Sequence, residues 1–167
     1  FTVGVILFIY NIARTLARIP RWNVIAVAVV SALGWILLAA SAGLLLATAK
    51  TGHANFMFRF NPIGAMHAHA HLGALGFFVM MIVGVSYKLV PMFTLSEIQN
   101  HRRALASVIL LNVGLAGAFV SILLQSAWKP VFALVVIAAF AIYGREMMAI
   151  LRARKRRVLD WGLTYFL

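Results

Sequence analysis

The stretch Asn61-Pro62-Ile63-Gly64-Ala65-Met66-His67-Ala68-His69-Ala70-His71-Leu72-Gly73 (NPIGAMHAHAHLG) holds three of the chain's five histidines within five positions, and the eighteen residues from Gly73 to Val90, GALGFFVMMIVGVSYKLV, carry one charge. An apolar run of that length is what a helix needs to cross a hydrocarbon layer roughly 30 Å thick at about 1.5 Å per residue. The segment therefore reads as a membrane helix headed by imidazoles. Asn61 suits an N-cap, and Pro62 suits the first turn, where its missing N–H would have no partner anyway. His67 then lies roughly 7.5 Å along the helix and His71 roughly 13.5 Å. The first stands at headgroup depth, and His69 and His71 lie beneath it.

The rest of the chain agrees with a lipid solvent. Apolar residues make up 64% and charged residues 11% of 167 positions, against about 45–50% apolar in soluble domains. There is no cysteine, which excludes disulfides, thiolate metal sites and thiol catalysis. Three further segments are long enough to span, roughly Asn23–Ala49, Ala104–Gln125 and Val131–Ala149, beside the histidine segment taken as Pro62–Tyr87. The expected fold class is thus all-α, a polytopic transmembrane helix bundle with four complete spans. The runs FTVGVILFIY and WGLTYFL at the two ends are too short to cross and are expected to be partial helices of a longer protein. Residues 1–167 form one transmembrane domain of it. The first run lacks the basic start and small-residue cleavage site of a signal peptide.

Charge sets the expected orientation. Arg14, Arg18 and Arg21 lie in the first connection, Lys88, Arg102 and Arg103 in the third, and Arg145, Arg152, Arg154, Lys155, Arg156 and Arg157 in the fifth, twelve basic residues in all. The second and fourth connections hold three, Lys50, Arg59 and Lys129. The positive-inside rule places the richer set in the cytoplasm of a bacterial-type inner membrane, with the histidines in the outer half. The net charge of +12 follows from that asymmetry. It points to anionic lipid at the RARKRR run rather than to nucleic acid. Trp22, Trp128 and Trp161 fall near the interfaces, as an aromatic belt requires, whereas Trp35 is deep in its helix. Ala39 with Gly43, and Gly114 with Ala118, have the spacing that lets helices approach closely, and Asn112, Ser121 and Gln125 are candidates for interhelical hydrogen bonds. The three acids, Glu97, Glu146 and Asp160, all fall at cytoplasmic ends, which argues against a proton relay built on intramembrane acids.

The histidines carry the candidate chemistry. At about 100° per residue, His67 and His71 share a helix face and His69 points the other way. His67 and His71 have the i, i+4 spacing of helical metal sites, while His69 is free to serve something else. Ala65, Gly73, Gly76, Met80 and Gly84 fall on the His69 side, a trough for a flat macrocycle or for another helix. Ala74, Phe78, Ile82 and Val85 fall on the side of His67 and His71. Imidazole suits haem iron, copper and zinc alike. His53 and His101, in connections, are expected to be solvated.

From His69 the sequence continues HAHLGALGF, then Gly84, then Val90-Pro91. This H-A-H-x4-G-F-x6-G-x5-V-P pattern resembles the NnrS family of haem- and copper-associated membrane proteins linked to nitric-oxide metabolism. It is also similar to the second helix of subunit I of the haem-copper oxidase superfamily, which includes nitric oxide reductases. The second resemblance implies a b-type haem ligated by a histidine near the outer end of this helix, with His69 the first candidate, His71 the second, and His67 assisting or holding a surface metal such as copper. Gly73 and Gly76 would then lie against the macrocycle. It further implies an oxidoreductase passing electrons from a donor (cytochrome c or quinol) to oxygen or nitric oxide, beside other helices or subunits of a respiratory-type complex. The first resemblance implies a non-catalytic haem or copper protein of the nitric-oxide response. A third reading is a haem-free transporter of metal ions or protons.

Overall fold

The structure is a computed structural model and describes residues 2–19, 22–52 and 60–155. Its helices follow from where apolar runs meet capping residues. A short apolar helix α1 (Thr2–Leu16) precedes α2 (Val24–Lys50), which starts where the Asn23 side chain accepts the Ala26 N–H at 2.9 Å. Helix α3 (Pro62–His71) starts the same way, with Asn61 accepting the Gly64 N–H at 3.0 Å and proline in the first turn. It runs without a break into a π-helical segment (Leu72–Val79) and then α4 (Met80–Thr94). Asn100 caps α5 (His101–Leu123) by accepting the Arg103 N–H at 2.9 Å, and α6 (Lys129–Arg152) has Pro130 in its first turn. Each cap satisfies a donor that the helix itself leaves without a partner.

Four of these stretches are long and apolar enough to cross a membrane: Val24–Lys50, Pro62–Thr94, His101–Leu123 and Lys129–Arg152. They match the four expected spans. The histidine span runs seven residues beyond Tyr87, through Pro91, to Thr94. It ends at Leu95, which adopts left-handed backbone (φ 53°) and is followed by a Ser96 N–H bond to the Pro91 carbonyl at 3.0 Å. Among the described residues there is no strand. The expected C-terminal partial helix and the residues Arg21, His53, Arg59, Arg156, Arg157, Asp160 and Trp161 lie outside the described residues.

The spans pack as an antiparallel bundle. Glycines set the closest approaches: a Cβ on Gly114 would stand 2.8 Å from Val136 Cγ2, and one on Gly117 would overlap the Phe132 ring, so α5 lies tight against α6. A Cβ on Gly84 would stand 2.8 Å from that of Ala28, which joins α4 to α2. The core gathers Val24, Ala28, Ala32, Met80, Val83, Tyr87, Val108 and Leu111 from α2, α4 and α5. Outside it, Leu37, Leu38, Phe78, Ile82, Leu134 and Ile137 are each half or more exposed. That is the surface of a chain solvated by lipid rather than by water.

Both ends of the bundle are recognisable. The C-terminal end of α4 meets the start of α5 and the end of α6, where Arg103 Nε donates to Glu146 Oε2 at 2.6 Å and the Asn100 N–H to Oε1 at 2.8 Å. Lys88, Arg102, Arg103, Arg145, Arg152, Arg154 and Lys155 belong to this basic end. The other end joins the close of α2, the start of α3, the close of α5 and the start of α6. Among the described residues Lys50 and Lys129 are its basic side chains. Three histidines lie there.

Midway, Asn112 ties α5 to α2: its Oδ1 accepts the Trp35 indole N–H at 2.8 Å, and its Nδ2 donates to Ser31 Oγ at 3.2 Å and to the Val108 carbonyl at 2.8 Å. The interhelical bond expected of Asn112 is present. Gln125 donates to the Ile122 carbonyl of its own turn at 2.7 Å and also accepts from Lys129 Nζ, at the start of α6, at 3.2 Å.

Candidate cofactor site at the histidine end

His69 occupies the last turn of α3 on the side turned to α2, and its ring rests on Gly43. A Cβ on Gly43 would stand 3.0 Å from His69 Cε1 and 3.5 Å from Nε2, so a larger residue there would press on the imidazole. The ring lines two apolar cavities. One, of about 530 Å³, is bounded by Gly43, Leu46, Ala47, Ala65, Met66 and, at the close of α2, Lys50. The second, of about 510 Å³, is bounded by Ile36, Ala39, Leu44, Gly73, Phe77 and Phe78. Both volumes fall in the range of cofactor and small-molecule sites, about 300–1,000 Å³.

His69 Nδ1 is buried without a hydrogen-bond partner, and among the described residues it is the one buried side-chain nitrogen or oxygen in that condition. A polar atom withdrawn from water without a partner costs roughly 1–3 kcal/mol. The rest of the bundle avoids that cost: Tyr87 meets Ser107 at 2.9 Å, Tyr143 donates to Ser86 at 2.8 Å, and Thr94 donates to the Val90 carbonyl at 2.7 Å.

His67 and His71 lie on the opposite side of α3 and share a cavity of about 360 Å³ with Asn61, Gly64, Gln125 and Lys129. His71 Nδ1 lies 2.8 Å from the His67 carbonyl. A carbonyl only accepts, so Nδ1 carries the proton and Nε2 of the neutral ring keeps its lone pair. Three imidazoles within five residues thus divide between two sites, as their angular spacing requires. Among the described residues no three His, Asp or Glu side chains gather around one point suited to a metal ion. His101 is exposed at the basic end. His53 lies outside the described residues.

The glycine stripe divides as well. Gly73 borders the second cavity with His69, and nothing lies within 4 Å of where its Cβ would be. Gly76 is filled from across the interface, since a Cβ there would stand 2.7 Å from that of Trp35. Gly84 meets Ala28, and Met80 is fully buried. Helix α2 therefore occupies the lower trough, and only its top stays open.

Phe78 corrects the angular reading. It was expected on the face of His67 and His71, yet it lines the His69 cavity beside Phe77. The π-helical segment explains this: hydrogen bonds reach one residue further along the chain, each residue turns less, and α-helical angles cannot be carried across it. The sequence holds its signals only faintly, as Gly73 and Gly76 within LGALGFFV weaken the α-helical preference.

Sequence reasoning missed Gly43, Met66 and Lys50 as neighbours of His69. The Ala39/Gly43 spacing was the available signal, since a small-residue pair marks a close approach without naming what approaches. Met66, three residues before His69 on the same helix, was within reach of the same periodicity, whereas Lys50 had no signal, because no local pattern tells which helix end a side chain will share.

No protein-family model, curated protein or solved structure matches this chain. What its histidine end does is read from the residues gathered there.

Proposed function

We propose that this bundle holds a b-type haem at its histidine end, with His69 as axial ligand, in a membrane oxidoreductase of the haem-copper oxidase subunit I type that passes electrons to oxygen or nitric oxide. The observation that carries the reading is the unpartnered, buried Nδ1 of His69 on a ring lining two apolar cavities. Burial of an imidazole nitrogen without a partner is unfavourable, and a metal bonded to that nitrogen would compensate for it.

The residues present fit the group. One imidazole supplies an axial nitrogen, Gly43 and Gly73 leave space beside it, and Leu46, Ala47, Leu44, Phe77 and Phe78 supply the apolar wall. Lys50 at the first cavity supplies a cation for a carboxylate substituent. Haem, when bound, supplies one-electron chemistry whose potential follows axial ligation and burial. His69 holds the iron, the apolar wall excludes water and so tunes the potential, and the Trp35–Asn112 bond fixes the packing of α2 on α5 below the site. In this reading the basic end faces the cytoplasm of a bacterial inner membrane, and a cytochrome c or quinol donor and neighbouring subunits complete the electron path.

The test is the visible spectrum of the chain purified from a haem-replete membrane. A Soret band with a sharp reduced α-band is expected, together with its loss in His69→Ala and its persistence in His101→Ala and His53→Ala. A colourless wild-type protein, or a full spectrum in the His69→Ala/His71→Ala double variant, would remove the proposal. Loaded protein that consumes neither oxygen nor nitric oxide would leave the haem site standing and assign it to a non-catalytic, NnrS-like role.

A further inference from the structure

The cavity on the far side of α3 has a chemistry of its own. His67 and His71 are one helical turn apart and line it together. The bond from His71 Nδ1 to the His67 carbonyl fixes the ring and leaves Nε2 as its unshared lone pair. A backbone carbonyl on the second nitrogen is the usual support of a metal-ligating histidine. Among the described residues the His67 ring has no hydrogen-bond partner and is exposed.

Gln125 closes the cavity from α5 in a conformation that asks for a reason. It is one of two non-glycine residues with left-handed backbone among the described residues (φ 53°), a conformation that costs an ordinary side chain roughly 1–3 kcal/mol. That turn lays its amide over Gly64, where a Cβ would overlap Nε2. The amide oxygen then accepts from Lys129 Nζ at 3.2 Å. Two imidazoles on one rigid helix therefore face a cavity of about 360 Å³ whose other polar walls are the amides of Asn61 and Gln125 and the ammonium of Lys129.

We infer that His67 and His71 form a second site, distinct from that of His69, which chelates a divalent transition-metal ion of the zinc and copper(II) class. Neutral imidazole is the preferred protein donor for these ions, and i, i+4 spacing lets two rings reach one ion without rearranging the helix. No thiolate or carboxylate is needed, and the remaining coordination positions stay open to water or an external anion. The ammonium of Lys129 opposes a bare cation there, so it sets the affinity below what two imidazoles alone would give.

The experiment uses the untagged full chain in detergent with Cu²⁺ alone as probe, read by electron paramagnetic resonance. One Cu²⁺ per chain is expected, with hyperfine coupling to imidazole nitrogen. His67→Gln and His71→Gln should each weaken binding at least about tenfold, and together they should abolish it. Lys129→Met should tighten it. Both histidines are at the surface of α3, and an unchanged circular dichroism spectrum will show that the variants remain folded. Retention of the copper signal in the double variant overturns the inference, and so does weaker binding in Lys129→Met. Loss of the signal in His69→Gln also overturns it, because the ion would then belong to the α2-facing site. Retention in His69→Gln supports it, whatever becomes of the haem spectrum.

Discussion

The two ends of this bundle treat buried polarity in opposite ways. At the basic end Glu146 is fully buried, yet one carboxylate oxygen accepts from Arg103 and the other from the Asn100 backbone. Tyr87 and Tyr143, whose rings meet edge to face at 5.5 Å, find Ser107 and Ser86. At the histidine end His69 Nδ1 is buried with no partner, and cavities lie along its ring. A membrane interior offers no water to make up a missing hydrogen bond. A fully partnered cluster therefore belongs to the architecture, and the unpartnered nitrogen of His69 is the feature on which the proposed haem site rests.

Four single substitutions and one double variant can break or sharpen that contrast. The largest effect belongs to Arg103→Leu, which strips Glu146 of its charge partner and should cost about 3–5 kcal/mol of stability, read as denaturant unfolding in detergent. Arg103→Leu/Glu146→Leu should regain most of that loss, because the harm comes from a lone buried charge. Next is Asn112→Ala, which leaves the Trp35 indole and Ser31 without their partner on α5. It should cost about 1 kcal/mol, the scale of interhelical hydrogen bonds in membranes. Tyr87→Phe should cost less, at most about 0.6 kcal/mol, because Ser107 still donates to the Ala104 carbonyl at 2.7 Å. Last is His69→Leu, which should cost the cofactor-free chain no stability, since no hydrogen bond is lost and a buried nitrogen without a partner is removed, while removing the haem spectrum entirely. A large loss of stability in cofactor-free His69→Leu would make that residue part of the architecture and erase the difference between the two ends.

Much of the fold was legible because membrane helices declare themselves one at a time. Asn23, Asn61 and Asn100 cap helices where apolar runs begin, Pro62 and Pro130 sit in first turns, and each run is long enough to span. The division of His67 and His71 from His69 was legible too, since all three lie within the α-helical segment α3, where 100° per residue holds. The reach of that rule ended at Leu72. Phe78 is on the His69 side because the π-helical segment turns less per residue, and Gly73 and Gly76 in LGALGFFV signal that change of hydrogen-bond register only faintly. Glu146 illustrates the same limit. As a sequence position it was an acid at a helix end, and only the meeting of α5 with α6 made it a buried, paired carboxylate.

The amino-acid sequence alone determined the class of the molecule, its four crossings, their alternation in charge and the two faces of the histidine helix, because each depends on composition or on neighbours within a few turns. The tertiary structure alone decided that Gly43 seats His69, that Trp35 fills the space beneath Gly76, and that Gln125 and Lys129 close the cavity of His67 and His71. These are meetings between residues that lie far apart in the chain, and which of several apolar faces comes to rest against which is fixed by packing, not by periodicity.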